Sequence, residues 1–176
     1  MEVWTRNGLV TFHLLFVIEL KTRRVHFASC TPNPNEAWMT QVARNLTDSI
    51  DGFLLGKRYV LMDRDGKFSP KFRGTLDDDG AKPLRLPPRS PNLNSYMERF
   101  MRSLKSESLE RMIFFGEKPL RRTVTAFLEH YHSERNHQGL DNELIEPGEE
   151  VGAVAGKIEC RERLGGLLRY YYRDAA

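Results

Sequence analysis

The sequence predicts an α/β chain in which a mixed five-stranded sheet is flanked by helices. Three observations carry this prediction. Residues 3–30 read as apolar runs separated by turn signals, residues 35–50 carry apolar side chains at the helical period, and residues 59–62 form a short continuous apolar run behind that helix. Such a run is how a strand within a parallel sheet reads. The order strand, strand, strand, helix, strand, helix, strand and then helices therefore gives a mixed sheet with helices packed on it.

Val3, Trp4 and Thr5 precede Asn7-Gly8, a pair that favours the tight turn of a hairpin. Residues 9–20 are rich in Val, Ile, Phe and Leu with no helical polar face, which makes them a buried strand fed by that hairpin. Arg23-Arg24 marks a second turn and residues 25–30 return as a third antiparallel strand. After Pro32 and Pro34, Asn35 can cap a helix whose apolar positions are Trp38, Met39, Val42, Ala43, Leu46 and Ile50, with Gly52 at its exit. Tyr59 to Met62 reads as buried on both faces and stops at Asp63. A short helix over 69–76, a last strand over 83–86 and a Pro-rich loop over 86–94 follow. A long helix runs from Asn94 or Ser95 to about Met112 with Met97, Met101 and Leu104 on one face. Another, over roughly 118–134, points Leu120, Val124, Phe127, Leu128 and Tyr131 inward. Residues 158–164 and 167–172 flank Gly165-Gly166 and read as a two-stranded hairpin in a C-terminal extension over 148–176.

A chain of 176 residues with 40% apolar side chains can bury a core without staples. Cys30 and Cys160 lie far apart and in no Cys/His cluster, so neither a disulfide framework nor a zinc site is expected, and a reducing, cytoplasmic setting is the default. No run reaches the length of a membrane span, and Met1 is followed by Glu-Val-Trp rather than a basic and then apolar leader. A net charge of +3 is compatible with a nucleic-acid partner without requiring one.

Chemistry enters at Asp63. The first residue past a strand in a parallel sheet places its carboxylate where α/β proteins bind ligands, which makes Asp63 a candidate metal ligand. A lone Asp there is more often a turn residue, and Asp65 reads as a solvated one. Glu98 follows 35 residues later on the long helix, with Arg102 at i+4 and Lys105 at i+7 on the same face. That face offers a carboxylate for a metal and two cations for a DNA backbone. The bland alternative is an ordinary pair between Glu98 and Arg102 within the helix.

Three stretches carry a resemblance: residues 60–68 (VLMDRDGKF), residues 90–100 (SPNLNSYMERF) with 103–107 (SLKSE), and residues 131–140 (YHSERNHQGL). Together they resemble the DDE transposases and integrases, whose catalytic core is ribonuclease-H-like. The resemblance covers residues 1–147 and implies that Asp63 matches the second catalytic Asp and Glu98 the catalytic Glu. It also implies that both ligate Mg²⁺ or Mn²⁺, two ions in a complete enzyme, and that Arg102 and Lys105 lie where the family grips DNA. The implied partners are transposon ends and target DNA, with a homo-oligomer and no membrane. The family's first catalytic Asp is expected upstream of Met1, because Glu2-Val3 resembles the end of that first strand; Glu19 resembles a non-catalytic acid of the second. An incomplete or inactive core is thus expected. The rival reading is a non-catalytic DNA-binding or assembly module acting on intact transposase, and a nuclease acting on RNA in hybrids is a distant third.

Other residues weigh less. His130 and His132 are two apart on a helix and face differently, so they read as core-edge or exposed rather than as a joint metal site. Asp77, Asp78 and Asp79 read as a solvated helix end. Tyr170, Tyr171 and Tyr172 with Arg169 and Arg173 could meet nucleic acid, but alternation in a hairpin also sends part of them onto the core.

Overall fold

The protein is represented by a computed structural model that describes residues 1–88 and 91–174, except for the side chains of Pro91 and Asn92. The centre of the expected Pro-rich loop, Arg89-Ser90, lies outside the described residues. The chain order is β1 (Glu2–Thr5), β2 (Gly8–Thr11), β3 (His13–Ile18), β4 (Val25–Thr31), α1 (Glu36–Leu46), β5 (Tyr59–Met62), α2 (Pro70–Asp78), β6 (Lys82–Arg85), α3 (Ser95–Glu107), α4 (Glu117–Ser133), β7 (Lys157–Arg163) and β8 (Leu168–Asp174). The class is α/β as expected. The described strands pair as β1-β2, β3-β4, β5-β6 and β7-β8, and no continuous five-stranded sheet is among these pairings. Two compact units result, one of Met1, Thr11–Val17 and His26–Glu98, the other of Glu2–Val10, Ile18–Val25 and Arg99–Ala176.

The long strand expected over 9–20 is divided at Phe12. There the Phe12 N–H donates to the Met1 carbonyl at 2.7 Å, and the Met1 amino group donates to the Phe12 carbonyl at 2.9 Å. Phe12 is buried, and the chain resumes as β3 one residue later.

In the first unit Asn35 caps α1, its side chain accepting the Trp38 N–H at 2.9 Å. Met39, Val42, Ala43 and Leu46 join Met62, Phe72, Leu76 and Ala81 in one buried cluster. Ile50 does not belong to it. The helix stops at Leu46, the Asp48 carboxylate takes the Ile50 N–H at 2.9 Å, and the turn so formed leaves Ile50 in solvent. Gly52 is required where the chain folds back, because a Cβ there would lie 2.5 Å from the backbone of Asp48. β5 and β6 run parallel, with Tyr59 opposite Lys82 and Met62 opposite Arg85. Burial of β5 on both faces is corrected: Val60 and Met62 pack on the cluster, whereas Tyr59, Leu61 and the neighbouring Leu84 are exposed.

In the second unit α3 is shorter than expected. The buried Ser108 donates its hydroxyl to the Leu104 carbonyl at 2.6 Å, and the helix gives way to a tight turn over Leu109–Arg111 instead of running to Met112. Phe100 and Leu104 form its buried stripe, while Met97 and Met101 are only half-buried. The Phe100 ring meets Tyr131 of α4 edge-on at 5.1 Å, beside Phe127. β7 and β8 form the expected antiparallel hairpin, Cys160 opposite Tyr171. Its tight end is possible because Leu164, Gly165 and Gly166 all take positive φ.

His132 is buried rather than at the core edge, and its Nε2 accepts the Val25 N–H at 3.0 Å. An N–H cannot accept, so this bond exists only while Nε2 is unprotonated. Burial pushes the imidazole below its ordinary 6.5, against the raising influence of Glu146 and with help from Arg24 and His137. A depressed histidine favours the fold above its unfolded value, and the contribution is lost as pH falls from 6.5 through the lower folded value. We expect His132→Phe to flatten the pH dependence of thermal stability in that window and to lower stability at neutral pH by about 1–3 kcal/mol, the cost of orphaning a buried donor. An unchanged slope in the variant would count against this assignment.

Candidate active site

Asp63 is the first residue after β5, exposed, with Oδ1 accepting the Asp65 N–H at 2.9 Å. The Arg64 Nε donates to the Leu86 carbonyl at 3.0 Å and the Leu86 N–H to the Met62 carbonyl at 2.9 Å, so the ends of β5 and β6 are tied together beneath Asp63. Asp65 is engaged differently. Hydrogen bonds from the Lys67 side chain and backbone hold its carboxyl below the ordinary value, as for a settled turn acid.

Glu98 lies in the first turn of α3, where a carboxylate suits the positive end of the helix dipole, and Lys105 lies in the last, where a cation suits the negative end. Glu98, Arg102 and Lys105 are all exposed. Among the described residues no ion pair engages any of the three, so the ordinary pair between Glu98 and Arg102 is not formed. α3 therefore presents one carboxylate and two uncommitted cations on a solvent face, opposite Phe100 and Leu104. Asp63 and Glu98 both fall in the first unit, and Arg102 and Lys105 belong to the stretch of α3 in the second.

Hard carboxylate oxygens are the donors that Mg²⁺ and Mn²⁺ prefer. Among the described residues, however, no three His, Cys, Asp or Glu side chains form a group able to hold a metal ion. Asp63 and Glu98 thus each offer the donor chemistry such an ion prefers, without belonging to such a group.

Sequence reasoning missed Glu134. Its side chain is 0% exposed and accepts from His130 Nδ1 at 2.9 Å, from Arg163 Nη2 at 2.8 Å and from Arg161 Nη1 at 3.2 Å. Burial alone would push this carboxyl up, but hydrogen bonds from Arg163 and His130 and the Arg163 charge bring it down to about 2. His130 is accordingly buried, on a different face from His132. The only local signal was the His130 to Glu134 spacing of one helical turn; the arginines come from the hairpin. Arg135 similarly grips Glu107 with Nη1 2.7 and 2.6 Å from its two oxygens, tying the end of α3 to the end of α4. Asp79 caps the end of α2 and accepts the Thr47 hydroxyl, as a helix-end acid would. Among the described residues no helix is long and apolar enough to cross a membrane.

Residues 79–143 match the family model of an integrase core domain. The fold is similar to that of a chain in a cryoEM structure of the simian T-cell lymphotropic virus intasome in complex with PP2A regulatory subunit B56 gamma, at a TM-score of 0.54 and 12% identity. That likeness covers 99% of this chain and 64% of the other, so the chain spans less than two-thirds of the length of that neighbour. No curated protein matches the sequence. The stretch over residues 79–143 is thus similar to an integrase core domain, and the chain shares its fold with the intasome chain.

Proposed function

We propose that the chain serves DNA integration or transposition by metal-dependent phosphodiester hydrolysis and strand transfer. In this reading Asp63 and Glu98 are the catalytic carboxylates and metal ligands, and Arg102 and Lys105 hold the DNA backbone. The observation that carries it is the exposed face of α3, where Glu98, Arg102 and Lys105 stand without ion-pair partners among the described residues. Residues 1–147 are taken as the core, its strands belonging to one ribonuclease-H-like sheet, and 148–176 as an extension. The cytoplasm, a homo-oligomeric assembly, and transposon ends and target as DNA partners belong to the same proposal. Bound divalent ions in such a core activate the attacking oxygen and stabilise the leaving one. Two carboxylates are an incomplete set for that, which makes the chain an incomplete or inactive core by itself. It also favours, as a second reading, a non-catalytic DNA-binding or assembly module that modulates intact transposase.

Both readings require α3 to bind DNA. Replacing Arg102 and Lys105 together with Ala is expected to weaken duplex binding and to reduce the slope of log affinity against log salt by about 2, roughly 0.9 for each phosphate no longer neutralised. Affinity and slope both unchanged in a fluorescence titration would remove α3 from the interface.

A further inference from the structure

The hairpin sorts its side chains onto two faces with different commitments. Directly opposite residues of an antiparallel pair share a face, so Arg161 with Tyr170, Glu159 with Tyr172 and Arg163 with Leu168 lie on one side. That side is spoken for. Tyr170 and Tyr172 stack at 5.8 Å, Arg161 lies 5.1 Å over Tyr172, and Arg161 and Arg163 are held by Glu134, Glu150 and Glu129. The other side carries Arg169 opposite Glu162, Tyr171 opposite Cys160, and Arg173 opposite Ile158. Tyr171 is 62% exposed with no ring contact among the described residues, and Ile158 beside it is exposed too. Arg173 donates Nη1 to the neutral Gly156 carbonyl at 3.0 Å, and among the described residues no ion pair engages it. Arg169 meets Glu162 at 3.0 Å, but the two side chains are 56% and 51% exposed, and a pair so wet gives up its cation to a phosphate at little cost.

We infer that the outward face of the hairpin, Arg169, Tyr171 and Arg173 on β8, is a binding site for an unpaired stretch of DNA strand. Tyr171 stacks on a base and the two arginines meet the flanking phosphates. Residues two apart on a strand are about 6.8 Å apart, so a single exposed ring stands between two cations along one line. Two cations against one carboxylate select a polyanion, and a free aromatic face between them selects one with exposed bases over a duplex whose bases are stacked away. The inference rests on the reading that this chain handles DNA, and it adds a site outside the α3 face.

The test is anisotropy of a fluorescein-labelled 20-nucleotide oligothymidylate and of a duplex of equal length, measured with the full chain over a salt series. Tyr171→Ala is expected to weaken oligothymidylate binding roughly fivefold or more, with Tyr171→Phe near the parent and the duplex changing less. The Arg169→Ala, Arg173→Ala pair is expected to lower the single-strand salt slope by up to about 1.4, roughly 0.7 per phosphate. Melting curves check that each variant folds, and Tyr171→Trp, which adds stacking surface, is expected to bind at least as tightly as the parent. Equal binding by Tyr171→Ala, or equal losses in the Ala and Phe variants, would overturn the stacking site. If only the Arg102 and Lys105 variant loses binding, this inference falls while the α3 reading stands; if the parent chain binds neither probe, both fall.

Discussion

Arg163→Ala is expected to destabilise the protein by about 3–5 kcal/mol, because it leaves Glu134 as a buried charge short of its main partner. The Glu134 side chain is 0% exposed, and the Arg163 Nε lies 3.0 Å from both of its oxygens. The remaining partners compensate poorly, since Arg161 reaches only one oxygen at 3.2 Å and also serves Glu150, and His130 gives a single hydrogen bond at 2.9 Å. The carboxyl also carries a pH signature. Its value is lowered from 4.5 to about 2, so its contribution is present above 4.5 and is lost as pH falls through about 2. Shifts of that size correspond to about 3 kcal/mol, the same scale as the loss expected on mutation. Glu134→Gln is expected to remove most of this acid-limb loss and to be destabilised at neutral pH, since an amide presents donors where the arginines need acceptors. Urea denaturation at pH 7 and pH 3 measures both effects. A midpoint for Arg163→Ala within about 0.5 kcal/mol of the parent, the range of ordinary surface changes, would mean that the cluster is more solvated than its burial indicates.

The hairpin arginines explain why this network was not legible from the sequence while the elements around it were. Asn35, Ser69 and the turn glycines act on neighbours two or three residues away, so the cap of α1, the start of α2 and the β7-β8 turn follow from local chemistry. The periods of α1 and α4 likewise named Met39, Val42, Leu46, Leu120, Val124 and Phe127, all buried. Glu134 meets Arg161 and Arg163 across 27 and 29 residues, a distance over which no spacing rule operates. The same limit explains β5. A run of four apolar residues reads alike whether one face or two are covered, and only the placement of α1 and α2 decides that Leu61 is left exposed.

For the candidate site, the legible part is the helix face and the illegible part is its surroundings. Spacing alone set Glu98, Arg102 and Lys105 together, because one turn of helix fixes it. It did not reveal whether Glu98 would be spent on Arg102, since that depends on rotamers and on competing partners. Phe100 was missed as the centre of the buried stripe because Met97, Met101 and Leu104 already satisfied the period; the rings of Phe127 and Tyr131 draw Phe100 in.

On the proposed reading of an incomplete core, the chain alone is expected to show little or no Mg²⁺-dependent cleavage or joining of DNA ends, and a version extended upstream by a strand bearing an Asp is expected to gain it. The reason is charge and number. In the proposed reading Asp63 and Glu98 bring two negative charges where a pair of divalent ions needs more, and among the described residues no three His, Cys, Asp or Glu side chains form a metal-holding group. A carboxylate from an added strand would supply both the missing charge and a third fixed point. In the extended chain Asp63→Asn or Glu98→Gln is expected to lower turnover roughly a hundredfold or more, the scale on which loss of one preorganised electrostatic group acts. Each change keeps the size of the side chain and removes its charge, so circular dichroism and melting curves should match the parent. If Arg102 and Lys105 hold DNA as proposed, that binding should persist in both variants, which separates lost chemistry from lost recognition. If the two carboxylates act on shared metal, the double variant should be little worse than either single one, as groups that work as a unit are strongly non-additive. Independent, multiplying losses would place Asp63 and Glu98 in separate roles. Robust strand transfer by the 176 residues alone, abolished by Asp63→Asn, would show that another acid completes the site. The first to replace would then be Glu2, exposed on β1, and Glu19, whose carboxylate accepts the Thr22 hydroxyl at 2.9 Å in the turn after β3.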